Sequence, residues 1–333
     1  MKSSPEAPFL KKVYHNYFDI GAAVNIQTIE TQRTLLVEHF NSITAENDMK
    51  FESLQPVEGQ FTFDNADKLA AFAKEHDLKM RGHTLVWHNQ TPAWVFQGRG
   101  RERISRDLLL QRMKEHISTV VKRYKGTVYG WDVVNEAVMD DGTELLRKSP
   151  WLDIIGDDYI ELAFETAYEA DPEALFFYND YNESNPEKRE KIYKLVNSLV
   201  EKGVPIHGVG LQAHWNVYDP SMDQIRAAIE RYASLGLKLQ LTELDVSVFS
   251  FEDRRTDLTK PTSELLHLQA ERYEQFFQLL REYREKITAV TFWGAADDYT
   301  WLDDFPVKGR KNWPFLFDES HQPKEAFWNV VRF

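Results

Sequence analysis

A chain of 333 residues, 42% hydrophobic and 28% charged, has the composition of a soluble globular protein, large enough for one α/β barrel or two average domains. Its formal net charge of -13 argues against a nucleic-acid partner, because binding to phosphates draws its affinity from Lys and Arg. The absence of cysteine excludes disulfides, thiolate metal sites and cysteine nucleophiles.

From Met1 to Lys12 the chain lacks the uninterrupted apolar stretch of a secretory signal, and no later run is apolar for long enough to cross a membrane. A cytoplasmic protein with no membrane partner is therefore expected. Short β-rich runs then alternate with amphipathic stretches. Residues 18–22 and 42–45 predict the first two strands, and helix 64–76 leads into strand 79–82. Helix 105–124 precedes strand 128–134, helix 157–170 precedes strand 174–178, and helix 186–202 precedes strand 208–212. Helix 220–235 precedes strand 238–242, and helix 263–286 precedes the eighth strand, 289–293.

No linker, low-complexity tract or repeat interrupts this alternation, which predicts a single (β/α)8 TIM barrel of class α/β over residues 1–333. An open doubly wound sheet would show a phosphate-binding glycine fingerprint after its first strand. The residues Asp19-Ile20-Gly21-Ala22-Ala23 do not form one.

In such a barrel the C-terminal strand ends carry the site. Here they carry Glu46 and Asn47, His83, Asn135 and Glu136, Asn179 and Asp180, Gln212 and His214, Glu243 and Asp245, and Trp293. The two glutamates that close apolar runs, Glu136 and Glu243, are the equipment for hydrolysing a glycoside: one carboxyl group protonates the leaving oxygen, and the other attacks the anomeric carbon. To donate a proton near neutrality Glu136 must be shifted, since at a pKa of about 4.3 only roughly one molecule in 500 is protonated at pH 7. Glu243 must instead stay ionised, and His214 with Asp245 can hold it so. Either glutamate alone reads more readily as a strand-end salt-bridge partner; both together, at the ends of β-rich runs in one barrel pattern, bring the two readings level.

His83 and His88 invite a metal reading, but their spacing puts them on opposite faces of a continuing strand and no His-x-His pair is present. Hydrogen bonds to ligand hydroxyls are the preferred reading, with no metal. Aromatic residues make 13% of the chain. Most Phe read as core, while Trp87, Trp293, Trp301 and Trp313 sit in polar company and suit flat apolar ligand faces such as sugars. The charged loop 303–313 either borders the site or is solvated surface, and the run 252–255 reads as surface.

Five segments together resemble the glycoside hydrolase family 10 xylanases, in particular their intracellular bacterial members. They are Thr44-Ala45-Glu46-Asn47-Asp48-Met49-Lys50, Arg81-Gly82-His83-Thr84-Leu85-Val86-Trp87-His88, Trp131-Asp132-Val133-Val134-Asn135-Glu136-Ala137, Gly210-Leu211-Gln212-Ala213-His214 and Leu241-Thr242-Glu243-Leu244-Asp245. The likeness runs in order from about Phe18 to Phe333. It implies a retaining endo-β-1,4-xylanase that needs no cofactor and no metal, with Glu136 as acid/base, Glu243 as nucleophile, and His214 and Asp245 orienting Glu243. It also implies substrate-binding roles for Glu46, Asn47, Lys50, His83, Trp87, Asn135, Tyr181, Gln212, Trp293 and Trp301. No carbohydrate-binding module is expected. A cytoplasmic member would act on xylo-oligosaccharides derived from xylan. A β-1,4-glucanase or mixed-specificity glycosidase is the alternative within enzymes, and a non-catalytic sugar-binding barrel is the alternative outside them.

Overall fold

Parallel strands flanked by helices are covered on both faces, so near-continuous apolar runs are what such a sheet demands. The strands are β1 (Asp19–Val24), β2 (Ser42–Ala45), β3 (Lys79–Val86), β4 (Val128–Asn135), β5 (Leu175–Asp180), β6 (Gly208–Leu211), β7 (His214–Asn216), β8 (Lys238–Ser247) and β9 (Ile287–Phe292). This computed structural model describes residues 6–333; Met1 to Pro5, part of the N-terminal segment considered above, lie outside the described residues. Strands β1 to β6 pair in succession, β6 pairs with β8, β8 with β9, and β9 returns to β1, all in parallel. The result is a closed eight-stranded barrel. Strand β7 pairs only with β8 and extends the line of β6 beyond Gln212 and Ala213.

Eight helices complete the (β/α)8 pattern: α1 (Arg33–His39), α2 (Asp64–Glu75), α3 (Arg106–Arg123), α4 (Tyr159–Ala170), α5 (Pro186–Glu201), α6 (Met222–Ala233), α7 (Ser263–Glu282) and α8 (Glu325–Val331). Several start where side chains satisfy orphan amides. Ser105 and Thr262 accept from Leu108 and Leu265, Asn185 accepts from Glu187 and Lys188 ahead of a Pro186 start, and Ser221 with Gln224 makes a capping box. The six expected helices are all present within two to four residues of the predicted ends. Helices α1 and α8 are additions, each too short for a periodic pattern to stand out.

Strands β3 and β8 run well past their expected ends, to Val86 and Ser247. Their extensions carry polar site residues inside regular strand, so the apolar pattern stops before the hydrogen bonding does. Register shifts occur between His83 and Val86 of β3, between Asp132 and Val134 of β4, and between Leu241 and Leu244 of β8. Such irregularities re-aim side chains at a barrel rim.

Alternation across each strand divides the load. On the outer face of β3 and β4, Gly82 lies beside the fully buried Trp131, and a methyl group added at Gly82 would sit 2.1 Å from the Trp131 ring. On the inner face, Arg81 and His83 meet Asp132. Glycine is thus the residue that lets an indole lie flat across the strand. Gly82→Ala is expected to destabilise the fold by about 1–3 kcal/mol through overpacking, read as a lowered denaturant midpoint by circular dichroism; an unchanged midpoint would show that Trp131 can move aside.

Candidate active site

Glu136 follows the last residue of β4 and adopts a left-handed backbone, with φ of 57°. A non-glycine residue held there costs on the order of 1 kcal/mol or more and needs its surroundings to enforce it. They do so on three sides. The Glu136 N–H donates to the Asn179 carbonyl at 2.9 Å, the Glu136 carbonyl accepts from Arg147 Nε at 2.9 Å, and the Ala137 N–H donates to the Tyr178 hydroxyl at 3.0 Å. The carboxylate itself accepts from Gln212 Nε2 at 3.0 Å and from Trp87 Nε1 at 2.9 Å. Burial raises its pKa above the ordinary value, and the charges of Asp180 and Glu243 add to that rise against the two hydrogen bonds.

Glu243 sits within β8, two residues before Asp245 on the same face. Its Oε2 lies 2.7 Å from His214 Nε2, while His214 Nδ1 lies 2.9 Å from Asp245 Oδ1. Strand β7 makes this possible by placing His214 in register with Asp245. The other oxygen, Oε1, accepts from Asn179 Nδ2 at 3.0 Å and faces His83 Nε2 at 3.7 Å. Burial opposes ionisation of Glu243, but the His214 hydrogen bond and the charges of His83 and His214 outweigh it and hold the pKa below the ordinary value. Burial likewise works against the imidazolium, yet Asp245 and Glu243 raise His214 to about 10.

Between the two glutamates runs an unbroken set of amides. Gln212 Nε2 reaches both Glu136 and, at 3.2 Å, Asn135 Oδ1; Asn179 Nδ2 reaches both Asn135 Oδ1, at 2.9 Å, and Glu243. Thr242 Oγ1 donates to Asn179 Oδ1 at 2.6 Å and fixes that amide's orientation. The Asn135 amide group has no protein partner for its own Nδ2, although the residue is buried.

Beneath the floor stands a buried column. Arg81 donates to both oxygens of Asp132 at 3.1 and 2.7 Å and to Gln240 Oε1 at 2.6 Å, and Asp132 lies 2.8 Å from His83 Nδ1. Although burial opposes it, Arg81 and His83 keep the Asp132 carboxylate ionised, with a pKa lowered to about 2. His83 Nδ1 is thus held by Asp132, while its Nε2 faces Glu243 Oε1 at 3.7 Å, beyond hydrogen-bond distance.

The walls come from the remaining expected residues. Lys50 donates to Asn47 Oδ1 at 2.8 Å and lies 4.8 Å above the Trp87 ring, and Asn47 Nδ2 donates to Glu46 Oε1 at 3.2 Å. Trp293 and Trp301 stand edge-on to His83 and His214 with centroids 5.2 and 5.0 Å apart, and Trp301 Nε1 donates to Asp245 Oδ2 at 2.9 Å. Tyr181 faces the other side, where its hydroxyl meets Arg147 at 3.0 Å and Asp140. All fourteen expected residues thus gather round one end of the barrel. His88 shares a small pocket with Arg147 and is lowered to about 4, chiefly by burial and further by the Arg147 charge. Among the described residues no cluster of three or more His, Cys, Asp or Glu is arranged to hold a metal ion.

Several contributors were not among the expected site residues. Asp132 lies within the motif that ends in Glu136, and Asn179 and Asp180 were visible as polar strand ends. Gln90, which accepts from Lys50 at 2.9 Å, and Tyr299, which donates to Glu46 at 3.0 Å, come from loops without any local signal. The electrostatic role given to His214 is open to measurement. In His214→Asn the Glu243 carboxyl should titrate about 1–3 pH units higher by carbon NMR; an unmoved midpoint would contradict it.

The sequence profile of Glycosyl hydrolase family 10 matches residues 9–333. An endo-1,4-beta-xylanase of Geobacillus stearothermophilus is 64% identical over 324 residues, which cover 97% of this chain and 98% of that protein. The crystal structure of xylanase XynB from Paenibacillus barcinonensis, complexed with a conduramine derivative, superposes with a TM-score of 0.97 at 56% identity, covering 98% of this chain and 99% of that one. An endo-1,4-beta-xylanase structure from Caldicellulosiruptor owensensis gives 0.96 at 55% identity over 98% of this chain and all of the other, 100%. With the profile spanning nearly the whole chain and relatives this similar end to end, the protein belongs to glycosyl hydrolase family 10.

Proposed function

We propose that this protein is a retaining endo-β-1,4-xylanase acting by double displacement. The observation that carries the reading is the opposite electrostatic setting of two glutamates on one rim, Glu136 raised and Glu243 lowered relative to the same ordinary value of 4.5. Glu243 attacks the anomeric carbon and forms a C–O bond as the glycosidic C–O bond breaks, while Glu136 passes its proton to the departing oxygen. Water then attacks the glycosyl-enzyme, Glu136 takes the water's proton, and Glu243 is released as carboxylate. Asn135, with its amide nitrogen unpaired, is suited to a sugar hydroxyl. Trp87, Trp293 and Trp301 offer faces to the sugar rings, and Glu46, Asn47, Lys50, His83 and Gln212 line the glycone side, with Tyr181 across the cut.

The wider proposal is that the working substrates are short xylo-oligosaccharides in the cytoplasm. A chain without cysteine neither needs nor gains from an oxidising compartment. None of the described helices is long and apolar enough to cross a membrane. Rates on short oligomers well below those on polymeric xylan would overturn the substrate part, and cell fractionation tests the location.

Glu243→Ala should lower the rate by about 10,000-fold or more, and the first-formed product of the unmodified enzyme should be the β-anomer by proton NMR. An α-anomer first would refute retention. Glu136→Ala should slow natural xylosides by about 100- to 10,000-fold while largely sparing the first step on aryl xylosides with good leaving groups; equal losses on both would contradict its role as acid. Activity requires Glu243 ionised and Glu136 protonated, so it is lost as pH falls through the Glu243 value and as it rises through that of Glu136. The profile of kcat/KM should therefore be bell-shaped, with its acid limb below 4.5 and its basic limb above it.

A further inference from the structure

Behind the rim lies a carboxyl group that the proposed chemistry does not use. Glu183 is buried, and a single oxygen, Oε1, accepts both the Ala213 N–H at 3.1 Å and the Trp215 Nε1–H at 3.0 Å. Its own carbonyl accepts the hydroxyl of Tyr232 from α6 at 2.6 Å, which ties the β5–α5 loop to the helix layer.

Ala213 is where β6 stops pairing with β5. The Gln212 N–H still donates to the Asp180 carbonyl at 2.9 Å, but Ala213 turns to a φ of 60° and its amide leaves the ladder. A buried N–H without a partner is costly, and Glu183 supplies the acceptor that strand β5 no longer offers. On its other side the Ala213 carbonyl accepts from the Asp245 N–H at 3.2 Å, and the Gln212 carbonyl accepts from the Glu243 N–H at 2.9 Å. The pairing passes from Leu211 with Leu241 to His214 with Asp245, so one strand advances three residues while the other advances four.

This one turn sets the aim of two side chains. Gln212, just before it, donates to Glu136; His214, just after it, lies against Glu243. We infer that Glu183 is a positioning residue for both catalytic carboxylates, acting through the Ala213 turn that it clamps and the Trp215 ring that it anchors. It touches neither glutamate. Burial raises its pKa to about 7, so a neutral amide at this position is a fair mimic of the group. The inference rests on the roles given to Glu136 and Glu243 above.

The test compares Glu183→Gln, which keeps an acceptor oxygen at the same place, with Glu183→Ala, which removes it, and Glu183→Asp, which withdraws it. Active sites are counted by labelling with an activated 2-deoxy-2-fluoro-xylobioside, whose anomeric carbon bonds to the nucleophile as its leaving group departs; the labelled peptide is identified by mass spectrometry. Expected results are a kcat per labelled site within about twofold of the parent for Glu183→Gln, and a loss of about 10- to 100-fold for the other two. KM should change little, and the acid limb of the pH profile should move upward in the impaired variants. If Glu183→Ala does not fold, Glu183→Asp carries the comparison. A normal kcat per labelled site and an unmoved acid limb in the variants lacking the acceptor would overturn the inference, as would a loss in Glu183→Gln equal to theirs. Label found elsewhere than on Glu243 would instead overturn the catalytic assignment on which the inference rests.

Discussion

One imidazolium between two carboxylates organises this molecule. His214 joins Glu243 to Asp245 through its two ring nitrogens, and the two acids together hold it protonated in spite of its partial burial. That cation keeps Glu243 ionised inside a dry rim. Glu136 receives only neutral donors, an indole and an amide, so nothing offsets its burial to the same degree. Identical side chains on one rim thereby acquire opposite tendencies, because a cation stabilises an anion far more than a dipole can in a poorly solvated setting.

Placement of that cation is a backbone problem. Glu243 and Asp245 share a face of β8 through simple alternation, but His214 must stand opposite both, and β6 alone does not reach far enough. The turn at Ala213 restarts the strand as β7 with a shifted register. A second left-handed residue, Glu136 itself, lifts the other carboxyl group off the end of β4. Strain in both places is met by hydrogen bonds from neighbouring elements, in keeping with a site where local preference yields to function.

Charge extends well below the surface. The Arg81–Asp132 pair, with His83 against it, puts into the barrel interior charge that a core of pure packing would not contain. Buried ion pairs add little to net stability against an apolar replacement of the same volume, so their contribution here is one of placement. Stability comes from the outer faces of the strands, where Trp131, Phe176 and their neighbours pack against the helices. A parallel strand, apolar on one side and ionic on the other near its end, serves both needs at once.

Much of this was legible before any fold was known. Alternating apolar runs and capped amphipathic stretches marked eight strands and six helices, since period and capping are local properties. Helices α1 and α8 escaped because seven residues are too few for a period to repeat. The ends of β3 and β8 escaped because polar residues, His83 and Thr84 in β3 and Glu243 and Asp245 in β8, interrupt the apolar run before the strand stops. Within the site, Glu136, Glu243, His214 and Asp245 could be named from motifs. Gln90, Arg147, Tyr299 and Glu183 could not, for each lies in a loop without a local pattern and acts through a contact that only the folded chain creates. By itself, then, the sequence determined the barrel, the rim and the identity of the two carboxyl groups. The motifs also assigned His214 and Asp245 to Glu243; only the tertiary structure decided how one imidazole reaches both acids, because that depends on a register shift and a left-handed turn that no local pattern encodes.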